Sequence, residues 1–371
     1  MKQFLGKAPS DLFATQTLTG HVIRGAVAFA LLYLAIEQQH LRPVASLLAG
    51  LLALVAMCGC AVCWTIGLVE TIRQYRSGAK PMINWILALV LSLSAAGTLL
   101  AQDAPVREKV SFAAATVVDG GVTVNGELRI PAVSGAKLPA VVVIHGSGGL
   151  QDGVGTRYVE ALNQAGIATL ELDLFPRAGR PETPRFNFPH TYGSLIYLAK
   201  HPRIDPARIG VMGFSWGGVL SLISATEELT RAYTGGAYRF AAHLPVYPVC
   251  WPHSAILQGK HRVFNSSIYQ AMTGSPVHIL AGAIDDFDDD PDACPKFIQA
   301  LPASVRSYVT VTVYPDVGHG FDLPKSEERT FQDSFAHMGH GGSVRYYGDA
   351  ATADKARAFA VEFFKSNLEA K

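Results

Sequence analysis

Between residue 139 and the C-terminus, strand-like and helix-like segments alternate, and this alternation limits the folds open to the chain. The runs "PAVVVIHG" (139–146) and "RIGVMGFS" (208–215) are apolar and rich in β-branched residues, whereas "TRYVEALNQAG" (156–166) has helical spacing. Short apolar runs of this kind are typical of strands buried on both faces, and strands that alternate with helices form parallel sheets. We therefore predict a doubly wound, mostly parallel α/β sheet with helices on both faces.

The segment "FAAATVVDGGVTVNGELRIPA" (112–132) has a different pattern, in which apolar and polar residues alternate. It contains Asp119-Gly120-Gly121 and Asn125-Gly126, and both are typical sequences of tight turns. Alternation around such turns predicts antiparallel hairpin strands ahead of the parallel sheet.

The first hundred residues are much more apolar than the rest of the chain. The whole chain is 49% hydrophobic and 16% charged with a mean hydropathy of +0.22, which is apolar for a soluble protein. The runs 44–69 and 82–101 contain no charged residue and are long enough to cross a bilayer, whereas run 25–36 spans only if it extends back through Arg24. We predict a membrane region of two to three transmembrane helices over 1–104 and a catalytic domain over 105–371.

The orientation of these helices follows from the loop at 70–81, which contains Arg73, Arg76 and Lys80. The positive-inside rule places this loop in the cytoplasm, so the third helix leads outward. A cleaved signal peptide that begins at Met82 is the alternative, and it would also place the C-terminal domain outside the cytoplasm. We expect an inner-membrane protein with its catalytic domain on the periplasmic, extracytoplasmic side.

The stretch "GFSWG" (213–217) fits the pattern G-x-S-x-G at the point where a predicted strand becomes a predicted helix. Small residues two positions to either side of a serine allow a sharp turn that presents its hydroxyl above the sheet. In this context we predict that Ser215 is a nucleophile rather than an ordinary turn residue.

Two further loops follow predicted strands at the same edge of the sheet. Asp285 and Asp286 follow the strand at 277–284, and His319 follows the strand at 308–315 in a glycine-flanked loop. The chain order serine, aspartate, histidine is that of the α/β-hydrolase fold. We predict a catalytic triad of Ser215, His319 and Asp285, with Asp286 as the alternative acid.

The loop "HGSGG" (145–149) follows another predicted strand and can direct backbone N–H groups at an anion. We predict an oxyanion hole formed by the N–H groups of Ser147 and Trp216. A phosphate cradle is excluded, because the chain has no P-loop motif and Gln151 stands where a dinucleotide motif needs its third glycine.

The acidic loop also has part of a calcium-binding pattern, since Asp286, Asp288 and Asp290 have the spacing of an EF-hand. The glycine that this pattern requires is Pro291, and its bidentate glutamate is Phe297. We therefore predict no calcium site. The net charge of +1 gives no reason to expect nucleic acid as a partner.

The five cysteines fall into two groups. Cys58, Cys60 and Cys63 lie inside an apolar run, and the first two are about 200° apart on a helix, so we predict apolar filler rather than a metal site. Cys250 and Cys294 each follow a predicted strand at the edge that carries the site. A disulfide between them is a hypothesis that fits an oxidising compartment.

With these residues placed, residues 105–371 resemble the dienelactone hydrolase family. The matching stretches are "HGSGG", "LDLFPR", "RIDPARIGVMGFSWGG", "AGAIDD", "YPDVGHGFD" and "YYGDAATADKARAF". The resemblance implies hydrolysis of small-molecule esters or lactones by a nucleophile–His–Asp triad without a metal or organic cofactor.

The chain departs from the namesake enzymes at two points. They use a cysteine nucleophile where this chain has Ser215, and they have a glutamate beside the oxyanion loop, which here reads His145-Gly146-Ser147. Arg177 matches an arginine that holds a substrate carboxylate in those enzymes, and a solvated loop arginine is the equal alternative. A serine esterase is thus expected, with a serine peptidase on the same fold or a catalytically silent, acyl-binding membrane protein as alternatives. We expect segments 176–190 and 322–350 to form lids.

Overall fold

The sheet of this protein begins with two antiparallel strands and continues with parallel ones. The computed structural model describes residues 18–38, 43–56, 105–115, 122–132, 137–175, 181–324 and 328–369. By its internal packing the chain divides into two units, Met1–Leu100 and Ala101–Lys371.

The described part of the first unit consists of two helices, α1 (Leu18–Gln38) and α2 (Pro43–Ala56), which pack against each other. The predicted run 25–36 lies within α1, and α2 covers the beginning of run 44–69. The rest of that run and the whole of run 82–101 lie outside the described residues. Within the described residues, no helix has both the length and the apolar character needed to cross a membrane.

The second unit contains an eight-stranded sheet in the order β1-β2-β4-β3-β5-β6-β7-β8. Strands β1 and β2 are antiparallel, β2 is antiparallel to β4, and the remaining neighbours are parallel. The predicted mostly parallel α/β sheet is therefore confirmed. The strands are β1 (Val106–Ala113), β2 (Thr123–Ile130), β3 (Leu138–Ile144), β4 (Ala168–Asp173), β5 (Ile204–Phe214), β6 (Ala242–Val246), β7 (Val277–Gly282) and β8 (Val309–Tyr314).

Helices cover both faces of this sheet. They are α3 (Val154–Gln164), α4 (Phe188–Ala199), α5 (Trp216–Ile223), α6 (Glu227–Thr234), α7 (Trp251–Leu257), α8 (Ala293–Ala300), α9 (Ala303–Arg306) and α10 (Ala350–Asn367). Short 3₁₀ turns lie at Leu150–Asp152, Pro184–Asn187 and Ser266–Tyr269, and a single turn lies at Ala336–Gly339.

The central strand β3 shows why its sequence is apolar throughout. Val142 and Ile144 belong to the hydrophobic cluster on one face of the sheet, and Val141 and Val143 belong to the cluster on the other face. All four side chains are fully buried. Side chains of a strand alternate between faces, so a strand covered on both sides has no position for a polar residue.

The turn predicted at Asn125-Gly126 is wrong, because both residues lie inside β2. Gly126 pairs with Val110 of β1, and a Cβ atom at Gly126 would lie 2.7 Å from the carbonyl oxygen of Glu171 in β4. Glycine is required here for the close approach of two backbones rather than for a turn. Residues 119–121 lie outside the described residues.

The predicted lid segment 322–350 contains a second, two-stranded sheet. Strands β9 (Arg329–Asp333) and β10 (Gly342–Tyr346) form an antiparallel hairpin, in which Gly342 pairs with Asp333 and Tyr346 pairs with Arg329. The segment is therefore more regular than its polar sequence indicates.

Candidate active site

Ser215 occupies the sharp turn between β5 and α5. Its backbone has φ 49° and ψ −106°, a conformation that residues other than glycine rarely adopt. The turn requires two glycines, since a Cβ atom at Gly213 would lie 2.3 Å from the carbonyl carbon of Gly217. A Cβ atom at Gly217 would lie 2.2 Å from the carbonyl oxygen of Ile144. The pattern G-x-S-x-G is thus a packing requirement of this turn, and the strained serine lies at the edge of the sheet.

The structure brings Ser215, His319 and Asp285 together. Nε2 of His319 lies 2.7 Å from Oγ of Ser215, and Nδ1 of the same ring lies 2.7 Å from Oδ2 of Asp285. The His319 and Asp285 side chains are only 1% and 5% exposed. Because an aspartate only accepts hydrogen bonds when ionised, Nδ1–H donates to Asp285 and Nε2 accepts from the Ser215 hydroxyl. This arrangement can remove a proton from Ser215.

The two candidate acids of the loop point in different directions. Asp285 contacts His319, and its Oδ1 accepts a hydrogen bond of 2.9 Å from the N–H of Phe287. Asp286 instead accepts a hydrogen bond of 2.8 Å from the N–H of Arg345 in β10. The alternative acid therefore attaches the β9–β10 hairpin to the loop and does not contact the histidine.

The ring of His319 is enclosed by aromatic side chains, with ring centroids 4.6 Å from Phe287, 4.8 Å from Tyr247 and 5.2 Å from Tyr346. The hydroxyl of Tyr247 donates to Oδ1 of Asp322 at 2.6 Å. Asp322 is buried, and its burial raises the pKa of its carboxyl group. Sequence reasoning missed Tyr247 and Asp322, whose contact depends on the path of two distant loops.

The predicted oxyanion loop is held in place by His145, a buried residue at the end of β3. Its Nδ1–H donates to the carbonyl oxygen of Gly146 at 2.7 Å, and its Nε2 accepts from the N–H of Leu174 at 3.0 Å. Burial lowers the pKa of His145, which suits a neutral ring that donates at one nitrogen and accepts at the other. Ser147 of this loop lines the same cavity as Ser215 and Trp216.

A cavity of about 670 Å³ opens beside Ser215. Ser147, Ser215 and Trp216 form its end at the nucleophile, and α5, α7 and the β9–β10 hairpin form its walls. Its volume lies within the range of small-molecule binding sites. A second, much smaller space of about 20 Å³ lies against Ser215 and His319.

Cys250 and Cys294 form a disulfide bond, as the sequence hypothesis states. Beside it, the buried carboxylate of Asp288 accepts from the N–H of Cys250 at 2.9 Å and from the N–H of Trp251 at 2.7 Å. Burial, together with the nearby charge of Asp285, raises the pKa of Asp288 to about 7. Asp288 and the two sulfur atoms lie within 4.8 Å of one another, but a metal ion would need the two thiolates that the disulfide consumes.

Two groups of predicted residues lie outside the described residues. They are Arg177, the candidate ligand of a substrate carboxylate, and the cysteines at 58, 60 and 63. The three aspartates of the calcium-like pattern each contact other groups of the protein. Asp286 and Asp288 accept hydrogen bonds from backbone N–H groups, and Asp290 forms an ion pair with Lys296 at 2.6 Å.

Several solved structures are similar to this chain. Among solved structures, a dienelactone hydrolase-like promiscuous phosphotriesterase from metagenomic libraries has 18% identity and a TM-score of 0.50, covering 72% of this chain and 100% of that one. A dienelactone hydrolase from Anabaena variabilis has 20% identity and a TM-score of 0.46, covering 71% and 99%. A thermostable carboxylesterase from a metagenomic library has 17% identity and a TM-score of 0.47, covering 79% and 99%.

At 18% identity the likeness to the phosphotriesterase shows the fold alone, and it agrees with the mostly parallel α/β sheet described above. A search of curated proteins gives no match. The dienelactone hydrolase family model matches residues 124–368, which is well over half of the sequence. This chain therefore belongs to the dienelactone hydrolase family.

Proposed function

We propose that this protein is a serine hydrolase of carboxylic esters, with Ser215 as the nucleophile, His319 as the general base and Asp285 as the partner of the histidine. The proposal rests on one observation, the continuous hydrogen-bond chain from Oγ of Ser215 through both ring nitrogens of His319 to Asp285. Family membership supports a hydrolase. The serine in place of the thiol favours ordinary esters over the lactones of the namesake enzymes.

The reaction would begin when His319 takes the proton of Ser215 while Oγ attacks the ester carbonyl carbon. Asp285 would hold the imidazole in the tautomer with hydrogen on Nδ1 and stabilise the imidazolium that forms. The ester oxygen would leave with the proton from Nε2, and an acyl-enzyme would remain on Ser215. A water molecule activated by His319 would then release the acid and restore the serine.

The negative charge of the tetrahedral intermediate needs donors that are fixed before the reaction begins. We assign this role to the backbone N–H groups of Ser147 and Trp216, which flank Ser215 at the same end of the cavity. The two hydrogen bonds of the neutral His145 ring support the assignment, because they hold the loop in place without placing a charged side chain there. Each such donor is worth about 10²–10³-fold in rate.

We also propose that the catalytic domain lies outside the cytoplasm and is anchored to the membrane. The uncharged runs 44–69 and 82–101 and the basic loop between them support this location. The Cys250–Cys294 disulfide adds independent support, since disulfides persist in oxidising compartments. The full chain should remain in the membrane pellet after a carbonate wash, and alkaline phosphatase fused to its C-terminus should be active. Release into the supernatant or an inactive fusion would contradict the proposal.

The decisive experiment is labelling of the full chain with a fluorophosphonate, which reacts with activated serines. Labelling should be lost in Ser215→Ala and retained in Ser304→Ala, where an exposed serine of α9 is changed as a matched control. The labelled protein should cleave p-nitrophenyl acetate in preference to peptide amides. A folded protein that takes no label would favour a silent, ligand-binding domain, and faster cleavage of amides would favour a peptidase.

A further inference from the structure

Two spaces of very different size adjoin Ser215. The large cavity of about 670 Å³ includes Ser147 and Trp216 in its lining, and His319 does not line it. The small space of about 20 Å³ is lined by His319 and by the loop Gly146–Gly148, among others, and Ser147 and Tyr346 line both spaces. The nucleophile therefore lies between a large space on the side of Trp216 and a small one on the side of His319.

The chemistry of ester cleavage assigns a part of the substrate to each space. When the tetrahedral intermediate breaks down, the bond between the carbonyl carbon and the alcohol oxygen breaks, and the proton on Nε2 of His319 passes to that oxygen. The alcohol must therefore lie within reach of His319. The acyl group, on the other side of the carbonyl carbon, then extends into the space that His319 does not line.

The walls of the large cavity are suited to an apolar group. Trp216, Val219 and Ile223 line it from one face of α5, where residues three and four positions apart are neighbours. Trp251 lines it from α7, and its ring centroid lies 4.8 Å from that of Phe335, at the end of the β9–β10 hairpin. The lining also includes charged residues, of which Glu182, Arg185, Lys260 and Arg262 are exposed to solvent. The apolar side chains of α5 and α7 are therefore the surface that an apolar group of the substrate would contact.

We propose that this cavity is the acyl pocket and that the preferred substrates are esters of bulky or medium-chain apolar acids with small alcohols. The inference rests on the proposed serine esterase activity and extends it to the class of substrate. The small volume beside His319 sets the limit on the alcohol, and the walls formed by α5, α7 and the hairpin set the preference for the acid.

A pair of isomeric esters tests the acyl side and the alcohol side of the substrate separately. Methyl octanoate carries its chain on the acid, and heptyl acetate carries a chain of the same length on the alcohol. With the full chain, kcat/KM should be at least about tenfold higher for methyl octanoate, because each buried methylene adds to binding on the acyl side alone. Equal values, or a preference for heptyl acetate, would overturn the assignment.

A substitution in the pocket provides a second measurement. Ala255 is a half-buried residue of α7 that lines the cavity, so Ala255→Phe would occupy part of its volume. The ratio of kcat/KM for methyl octanoate to that for methyl acetate should fall about tenfold or more. In the matched control Ala358→Phe, on the exposed side of α10, the ratio should not change. An unchanged ratio in Ala255→Phe would count against the pocket.

Failure of this inference differs from failure of the proposed function. If the protein takes the fluorophosphonate label and cleaves methyl acetate but does not prefer octanoate, the acyl assignment is wrong and the esterase proposal stands. If it takes no label and cleaves neither isomer, the esterase proposal itself fails. Retained labelling of Ala255→Phe shows that the variant has folded around an intact nucleophile.

Discussion

Nε2 of His319 lies 2.7 Å from Oγ of Ser215, although 104 residues separate the two in the chain. Ser215 comes directly after β5 and His319 lies in the loop that follows β8, so both are at the edge formed by the carboxyl ends of the strands. The sheet thus brings Ser215 and His319 close together, and Asp285, in the loop after β7, orients the imidazole ring.

The first prediction concerns the two neighbouring acids of that loop. Asp285→Asn should lower kcat for p-nitrophenyl acetate by about 10³–10⁴-fold, because an amide favours the wrong tautomer of His319. Asp286→Asn is the matched control and should change kcat by less than about tenfold, since Asp286 bonds to the N–H of Arg345 rather than to the histidine. Equal losses in the two variants would contradict the assignment of Asp285.

The second prediction concerns the glycines of the serine turn. Gly217→Ala should lower the free energy of unfolding by about 3 kcal/mol or more and abolish esterase activity, because its Cβ atom would lie 2.2 Å from a backbone oxygen of β3. Gly259→Ala is the control. Gly259 has φ +70° and open space around it, so only backbone strain of about 1 kcal/mol is expected. Denaturant unfolding of both variants checks the difference, and similar losses would contradict it.

The third prediction is a loss of stability in acid. Burial lowers the pKa of His243 to about 4 and that of His253 to about 3, whereas both titrate near 6.5 in the unfolded chain. The unfolded state therefore binds more protons than the folded state below pH 6.5, so stability is lost as the pH falls toward the folded pKa values. From pH 7.5 to pH 5, each histidine should cost about 2 kcal/mol.

Unfolding of the wild type and of His243→Gln at these two pH values checks the third prediction. The acid-induced loss should be smaller by about 2 kcal/mol in the variant. His337→Gln is the control, because a hydrogen bond with Asp289 raises the pKa of that exposed histidine and its removal cannot reduce the loss. An equal loss in His243→Gln and in the wild type would show that His243 does not titrate on unfolding.

The fourth prediction concerns the Cys250–Cys294 disulfide, which joins residues 44 apart in the sequence. Closing a loop of that length should add about 4 kcal/mol to stability by restricting the unfolded chain. Reduction should therefore lower the unfolding temperature. Alkylation after unfolding without a reductant should leave both cysteines unmodified in the mass spectrum. Modification of both would show that the bond is absent from the isolated protein.

Local sequence patterns were sufficient for the strands of the parallel sheet, the serine turn and the loops that carry Ser215, Asp285 and His319, but not for β9 and β10. Apolar, β-branched runs can be satisfied only by strands covered on both faces, and the glycines of "GFSWG" permit a turn that other residues would block. The same logic failed at Asn125-Gly126, where a turn signal lies within β2. There, contact with the backbone of β4 decides the structure, and a local pattern does not record such a contact.

Sequence order by itself thus determined which strands carry the reactive groups, because the carboxyl ends of all parallel strands lie at one edge of the sheet. Only the tertiary structure decided that Asp285 rather than Asp286 contacts His319, and that Tyr247 bonds to Asp322. Adjacent side chains on a loop point in different directions, and the hydrogen bonds that select the direction come from residues far away in the sequence.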